Sequence, residues 1–393
     1  MQEALNLMSI LTLLGFTHGL FLASALFNAK NRNARPNRAL GLLTLLFTID
    51  LGEEFLYQIG FFNTVPHLLQ TLTPIDLLYG PLLYFYITLL VSYDMENRRF
   101  SSWHFMPVFT GIVLILPFHI FLGGAEKIAF VDALRKGQLH TVPNIPLSVE
   151  VGIIILTLIT IAQIGFYLTI SIRRITSHYS AIKQQYSDIE KISLTWFRNL
   201  LLGLSLIYLF FLGDQFFPDL WRINFLGDAI TILAVILIYI LGYLALRQPE
   251  IFTETLAGKT DQDSERYEKS GLDKEASLLL LTELRTHMDE NKPYLDGGLT
   301  LPSLARQLEL STNYLSQIIN EQLDMNFHDF INKYRVEEAQ RLIQSSQQEI
   351  NILQIAFESG FNSKSAFYSS FRKFSEMTPT QYSKNISKGL QNQ

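Results

Sequence analysis

The chain reads as an all-α protein of two parts: a seven-transmembrane helix bundle, followed by a polar all-helical domain with two helix-turn-helix units. Three observations predict this. Seven apolar segments, each near the 20 or so residues that a bilayer-spanning helix needs, fill the first 246 positions. Beyond a polar joint, apolar residues recur three and four apart, the spacing of amphipathic helices. That short-helix pattern then occurs twice.

Composition sets the frame. Of 393 residues, 48% are apolar and only 17% charged, which excludes a disordered chain or a collagen-like repeat and disfavours a purely soluble enzyme. The absence of Cys excludes a disulfide framework, a thiol nucleophile and any cysteine-ligated metal. Residues 1–246 hold 15 Lys+Arg against 15 Asp+Glu, residues 247–275 hold 5 against 8, and residues 276–393 hold 11 against 13. An apolar front therefore precedes a polar back.

The predicted spans lie at about 4–29, 39–60, 72–92, 103–123, 147–172, 195–213 and 223–246. The first lacks a basic stretch ahead of it and reads as a retained helix rather than a signal peptide. Basic residues set the orientation. Lys30, Arg32, Arg35, Arg38, Arg98, Arg99, Arg173, Arg174, Lys183 and Lys191 fall on one side, against Lys127, Arg135, Lys136 and Arg222 on the other. This places the N-terminus outside and the C-terminal part in the cytoplasm, as an odd number of spans requires. The outer loop from Gly124 to Pro146 has the length and mixed charge of a short surface helix.

Carboxylates inside spans are costly and tend to face a cavity or a partner. Asp50, Glu53 and Glu54 sit at turn spacing in the outer half of the second span. Asp76, Glu150 and Asp228 fall near the same outer side, so these six form a candidate signal pocket; the alternative is that each sits at the interface or bonds a neighbouring helix. Pro74, Pro81, Pro107 and Pro117 suit kinked bundle helices. No inverted repeat, Walker motif or glycine-rich nucleotide fingerprint is evident. The segment PEIFTETLAGKTDQDSERYEKSGLDKE has the composition of a linker, dividing the chain into a membrane domain at 1–246, a linker at 247–275 and a C-terminal domain at 276–393.

In the C-terminal domain, Leu278, Leu281, Leu284 and Met288 predict an amphipathic helix over about 276–291. Thr300 or Ser303 caps a helix to about Glu309 with Leu304, Ala305 and Leu308 inward. Thr312 caps the next, to about Glu321, with Leu315, Ile318 and Ile319 inward. A long helix over about 327–345 carries Phe330, Ile331, Tyr334, Ala339 and Leu342. Then Ile352, Ile355 and Ala356 mark a helix ending near Glu358, Gly360 turns the chain, and Ser363 caps a helix with Phe367 and Phe371 inward. Ala305 and Ala356 are 51 residues apart, as are Leu310 and Phe361, so the two units are a structural duplication. A tight helix-turn-helix puts the first turn of its second helix against base edges in the major groove, and two on one connector suit successive groove segments.

The segments IAFESGFNSKSAFYSSFRKFSEMTPTQYSK (355–384) and LARQLELSTNYLSQIINEQLDMNFHDFINKYRVEEAQRLI (304–343) resemble the DNA-binding domain of the AraC/XylS family of bacterial transcription regulators. The whole chain is similar to membrane-bound regulators in which several spans precede this domain; for residues 1–246 the likeness is architectural only. The resemblance implies double-stranded DNA as partner. Departures are Asp324 and Glu376 where the family usually has Gly, Gln317 and Asn320 in place of basic residues, and Ser383 where the family pattern has Arg. Loss of those cations predicts weaker phosphate attraction and more reliance on a localised face, a homodimer or multiple sites.

Asn313, Ser316 and Gln317 in the first reading helix, with Lys364, Ser365 and Ser369 in the second, are the candidate base-reading residues. Tyr368, Arg372 and Lys373 are candidate backbone contacts. His287 and His328 stand apart from other ligands, so no metal or cofactor is expected, nor an enzymatic activity. The expected function is a membrane-anchored, sequence-specific transcription regulator of a bacterial inner membrane. Its partners are DNA, the lipid bilayer, an unidentified signal ligand or membrane partner, and a second copy. The alternatives are a receptor or transporter whose helical tail docks a protein, and a membrane enzyme using Asp50, Glu53 and Glu54.

Overall fold

The computed structural model describes residues 6–29, 34–91, 101–135, 138, 141–190, 194–216, 231–233, 235–237, 239–240, 274–345 and 351–391. Among these it is helical throughout, apart from turns and one isolated bridge between Tyr186 and Thr300. The chain divides into two compact units. One comprises Met1–Thr176 and Thr195–Ala257; the other comprises Ser177–Leu194 and Gly258–Gln393. The second unit thus takes in a stretch that lies far upstream of the sequence-based boundary at 276.

In the first unit, α1 (Leu7–Asn28) and α2 (Ala34–Gln58) are followed by 3₁₀ turns over Phe61–Asn63, Pro66–Leu68 and Thr73–Leu78. Then come α3 (Tyr79–Val91), α4 (Met106–Phe121), α5 (Gly124–Arg135), α6 (Leu147–Gln185) and α7 (Thr195–Phe216). Four stretches are long and apolar enough to cross a membrane: Leu7–Asn28, Pro66–Val91, Ser102–Phe121 and Leu147–Gln185. The expectation of seven is therefore met at four places among the described residues. α2 falls short because Asp50, Glu53 and Glu54 interrupt its apolar run, α7 occupies the place of the sixth span, and most of the seventh lies outside the described residues. The third predicted span opens as a 3₁₀ segment, with Pro74 in its first turn, and becomes α-helical only at Tyr79. The linker at 247–275 lies almost wholly outside the described residues.

α1 is built opposite to a helix of a water-soluble core. Its buried positions include Ser9, Thr12, Gly15, Gly19 and Ala23, whereas Leu7, Leu14 and Phe21 are 71%, 51% and 68% exposed. Small buried residues let backbones approach closely. At Gly19 a side chain would collide with Thr48 of α2.

The second unit holds α8 (Lys274–Asn291), α9 (Leu301–Gln307), α10 (Thr312–Leu323), α11 (Phe327–Ser345), α12 (Ile352–Glu358), α13 (Lys364–Ser375) and α14 (Pro379–Gln391). The duplication is real in three dimensions: each hairpin pairs a helix of 7 residues with one of 12. Capping starts each helix. Thr300 accepts from the Ser303 amide in a reciprocal box, Ser311 from Tyr314, Asn351 from Leu353 and Gln354, and Ser363 from Ala366. The cap of α10 is Ser311 and not Thr312, because Ser311 holds the extended backbone that a cap needs.

Two apolar cores result. Leu284, Met288, Leu304, Ala305, Leu315, Ile319, Phe330 and Ile331 belong to the first. Val336, Ala339, Ile343, Ile355, Ala356, Phe361, Phe367 and Phe371 form the second. The connector α11 gives its front half to one core and its back half to the other. Leu278, expected on the inner face of α8, is 52% exposed, since α8 turns Leu281, Leu284 and Met288 inward instead.

Candidate nucleic-acid interface

α10 and α13 each end on a residue in the left-handed region, Asp324 at φ 52° and Glu376 at φ 59°. These are the two positions where the resembling family usually has Gly, which adopts that conformation without side-chain strain. The local chain path is therefore kept although the residue type is not.

The polar candidates follow from helix phase. Leu315, Ile318 and Ile319 of α10 are buried while Asn313 is exposed and Ser316 and Gln317 are half-buried. In α13, Phe367 and Phe371 are fully buried while Lys364, Ser365, Ser369, Arg372 and Lys373 are exposed. Phe367 packs edge-on against Phe361, Tyr368 and Phe371 at 5.3–5.7 Å. All nine candidates thus lie on the second helices of the hairpins; eight stand clear of the cores, and half-buried Tyr368 packs against the edge of the second.

Several are already engaged. The Gln317 amide donates to Glu321 at 3.1 Å, and Asn320 donates to Ser316 at 3.2 Å. Lys364 Nζ sits 5.5 Å from the Tyr368 ring centroid, and the Tyr368 hydroxyl lies 3.4 Å from that of Thr380. Ser369 donates back to the Ala366 carbonyl. Lys373 pairs with Asp329 at 2.7 Å, tying the end of α13 to the first turn of α11. Burial of Asp329 works against its charge, but Lys373 and Lys183 outweigh it and hold the carboxyl below its ordinary value. Arg372 is exposed and has no ion-pair partner among the described residues.

At the centre of α11 lies a cation that sequence reasoning left unremarked. Arg335 is 1% exposed. It donates to the carbonyls of Tyr294 (2.7 Å) and Asp296 (2.8 Å), to Asn332 Oδ1 (3.2 Å) and to Ser187 Oγ (3.1 Å). Burial pulls its pKa down to about 10, with Asp188 and Asp296 acting in the opposite sense. Its charge is satisfied mainly by loop carbonyls, so it pins the turn before α9 to the connector. Only its place in YRVEEAQRLI, between the apolar Val336 and Tyr334, hinted at burial.

In the first unit the structure brings Asp50, Glu53, Glu54 and Asp76 of the candidate signal pocket near one another, while Glu150 and Asp228 are not shown to join them. Asp50 accepts from the Tyr79 hydroxyl. Glu54 pairs with Arg135 at 2.5 Å and accepts from Gln58 at 2.9 Å. Arg135 also lies over the Tyr57 ring, whose hydroxyl donates to Asp132. Asp50, Glu53 and Asp76 lie within electrostatic reach of one another. Glu150 is exposed, and Asp228 lies outside the described residues. The stretch from Gly124 does form a helix, α5, and it brings Arg135 to Glu54. Among the described residues no group of His, Asp and Glu is arranged to hold a metal ion.

Residues 304–385 match the family described as "Helix-turn-helix domain". The Melibiose operon regulatory protein of Escherichia coli strain K12 is 34% identical over 89 residues, 23% of this chain and 29% of that protein. An uncharacterized HTH-type transcriptional regulator of the same strain, YijO, is 28% identical over 106 residues, 27% of this chain and 36% of that protein. The match thus spans about a third of the length of these relatives. Among solved structures, the C-terminal domain of the two-component response regulator yesN from Fusobacterium nucleatum subsp. nucleatum is 28% identical. It covers 28% of this chain and 98% of that one, at a TM-score of 0.23.

Proposed function

We propose that this chain, whose residues 304–385 form a helix-turn-helix domain with AraC-type regulators among its relatives, is a membrane-anchored transcription regulator. The helix-turn-helix domain is a double-stranded DNA binder, as regulators of this type are. One observation carries the DNA-binding part: two hairpins of 7 and 12 residues, joined by one connector, present Gln317 and Lys364 on polar faces opposite their cores. In the proposed reading Asn313, Ser316, Gln317, Lys364, Ser365 and Ser369 meet base edges or phosphates, and Tyr368, Arg372 and Lys373 set register.

Anchoring rests on the four apolar helices and on the inverted pattern of α1, small residues inside and Leu7, Leu14 and Phe21 outside. Phe109, Ile120 and Phe166, 65%, 67% and 58% exposed, continue that apolar outer surface. The charge bias supports seven spans with the N-terminus outside and the DNA-binding unit in the cytoplasm. A signal acts at the outer carboxylates, where Asp50 bonds Tyr79 and Glu54 bonds Arg135. Mapping the DNA bound genome-wide by the full-length protein in its membrane tests the reading. Enrichment at a small set of promoters is the expected result, and recovery without DNA enrichment overturns it.

A further inference from the structure

Residues 177–194 follow the fifth predicted span, yet they belong to the helix-turn-helix unit. α6 runs unbroken to Gln185, and the chain after it is built into that unit. Tyr186 bridges Thr300 in antiparallel fashion. The Ser187 amide and hydroxyl both donate to the Leu299 carbonyl, at 3.3 and 2.6 Å. The Ser187 hydroxyl accepts from Arg335 at 3.1 Å, and its carbonyl accepts from His328 Nδ1 at 2.8 Å. Ser187 is 2% exposed and Ile189 7%. Every polar group of Ser187 is used, which distinguishes this segment from a loop resting on a surface.

The next residues point carboxylates at the second reading helix. Asp188 accepts from the Asn362 side chain at 2.8 Å, and Glu190 accepts from the Ser365 hydroxyl. Asn362 directly precedes the cap Ser363, and Ser365 lies in the first turn of α13. This is the end of a reading helix that meets DNA. The helix dipole favours an anionic oxygen there, from a carboxylate or from a phosphate.

We infer that Tyr186–Glu190 is an intramolecular docking strand for the DNA-binding unit, and that its carboxylates occupy a place a DNA phosphate would take. DNA and Glu190 then exclude one another at Ser365. Because the strand continues directly from α6, a movement of that helix is a movement of the blocker. This inference rests on the DNA-binding reading proposed above.

The test uses the full-length protein in nanodiscs and a pool of random-sequence duplexes at low salt. The Asp188→Asn/Glu190→Gln double variant should bind the pool about threefold to tenfold more tightly than the unaltered chain, the scale of one or two phosphate contacts. Glu290→Gln, an exposed acid on α8, should change affinity little. Since the chain has no Cys, Glu190→Cys with Ser365→Cys can be bridged by a short reductant-cleavable bis-methanethiosulfonate linker. The bridged protein should lose duplex affinity and recover it on reduction. Equal affinity before and after cleavage, or no gain from the double variant beyond that of Glu290→Gln, overturns the docking inference while leaving DNA binding intact. A chain that binds no duplex in any form overturns the DNA-binding reading and this one with it.

Discussion

Glu309 and Gly360 occupy the same place in the two hairpins, and both take left-handed backbone, at φ 54° and 91°. The hydrogen bonds around them match as well. The Glu309 and Leu310 amides donate to Arg306 and Ala305, as the Gly360 and Phe361 amides donate to Phe357 and Ala356. At Gly360 the close approach of Tyr294 and Leu295 leaves no room for a side chain, a Cβ lying 2.9 Å from the Leu295 Cα. Glu309→Gly should therefore stabilise the first hairpin by about 1 kcal/mol by relieving left-handed strain. Gly360→Ala should cost more than about 2 kcal/mol, strain and collision together. Hydrogen exchange of amides 301–323 and 352–375 in the full-length protein reads both.

Strain of the same kind marks the ends of the reading helices. Glu376→Gly should raise the opening free energy of α13 by about 1 kcal/mol, and Asp324→Gly should gain less, since Asp tolerates positive φ better than Glu. The same exchange measurement decides it: no gain from Glu376→Gly would mean that its backbone is relaxed elsewhere.

Reading and folding roles should separate cleanly. Gln317→Ala and Lys364→Ala should each weaken specific DNA binding by about 1–3 kcal/mol and leave the melting behaviour of the unit unchanged. Phe367→Ala should instead cost about 3–5 kcal/mol of stability, through lost burial and the cavity left behind. Binding at two salt concentrations beside a thermal melt separates them. An early melt for Lys364→Ala with a normal one for Phe367→Ala would refute the helix phase.

Docking of the strand should weaken in acid. His328 Nδ1 faces the Ser187 carbonyl and its Nε2 faces the Asn332 amide at 3.1 Å, a pattern that suits the neutral ring. Burial holds its pKa below the usual 6.5, with Lys183 and Arg335 acting in the same sense and Asp329 and the Ser187 bond against it. The folded form therefore binds fewer protons than the unfolded form between the two pKa values. The contribution is complete above about 6.5 and is lost as pH falls through the folded value. Exchange protection of residues 186–190, corrected for intrinsic rates, should fall from about pH 7 to about pH 5, and His328→Asn should flatten that response.

Topology is open to reporter fusions. Those after Arg99 and Arg247 should report cytoplasm, and those after Asn63 and Gly137 the outside, given the basic-residue bias. An external reporter at 247 would refute seven spans in this orientation.

The hairpins were legible because their information is local. Periodic apolar residues, Ser363 and Thr300 at helix starts, and Gly360 at a turn all act within a few positions. Even the misplaced cap at Thr312 was one residue from Ser311, a distinction set by backbone angles rather than residue type. Span number was less legible, since hydropathy alone does not register how Asp50, Glu53 and Glu54 are met by Tyr79 and Arg135. The contacts of Ser187 with Arg335, Asp188 with Asn362 and Glu190 with Ser365 join residues 148 to 175 positions apart. No periodicity or capping rule reaches that far. Gln317 with Glu321, by contrast, shows in the four-residue spacing alone.

Because α11 lends Phe330 and Ile331 to one core and Val336 and Ala339 to the other, it works as a ruler graduated in whole residues. Each residue added between Ile331 and Val336 would turn the second hairpin by about 100° and shift it by about 1.5 Å relative to the first. On the DNA-binding reading proposed above, the two halves of a DNA site would be phase-locked by a single helix. A spacer changed by a few base pairs would put the second half out of phase, and one changed by a full turn of the duplex, about 34 Å, would carry it out of reach.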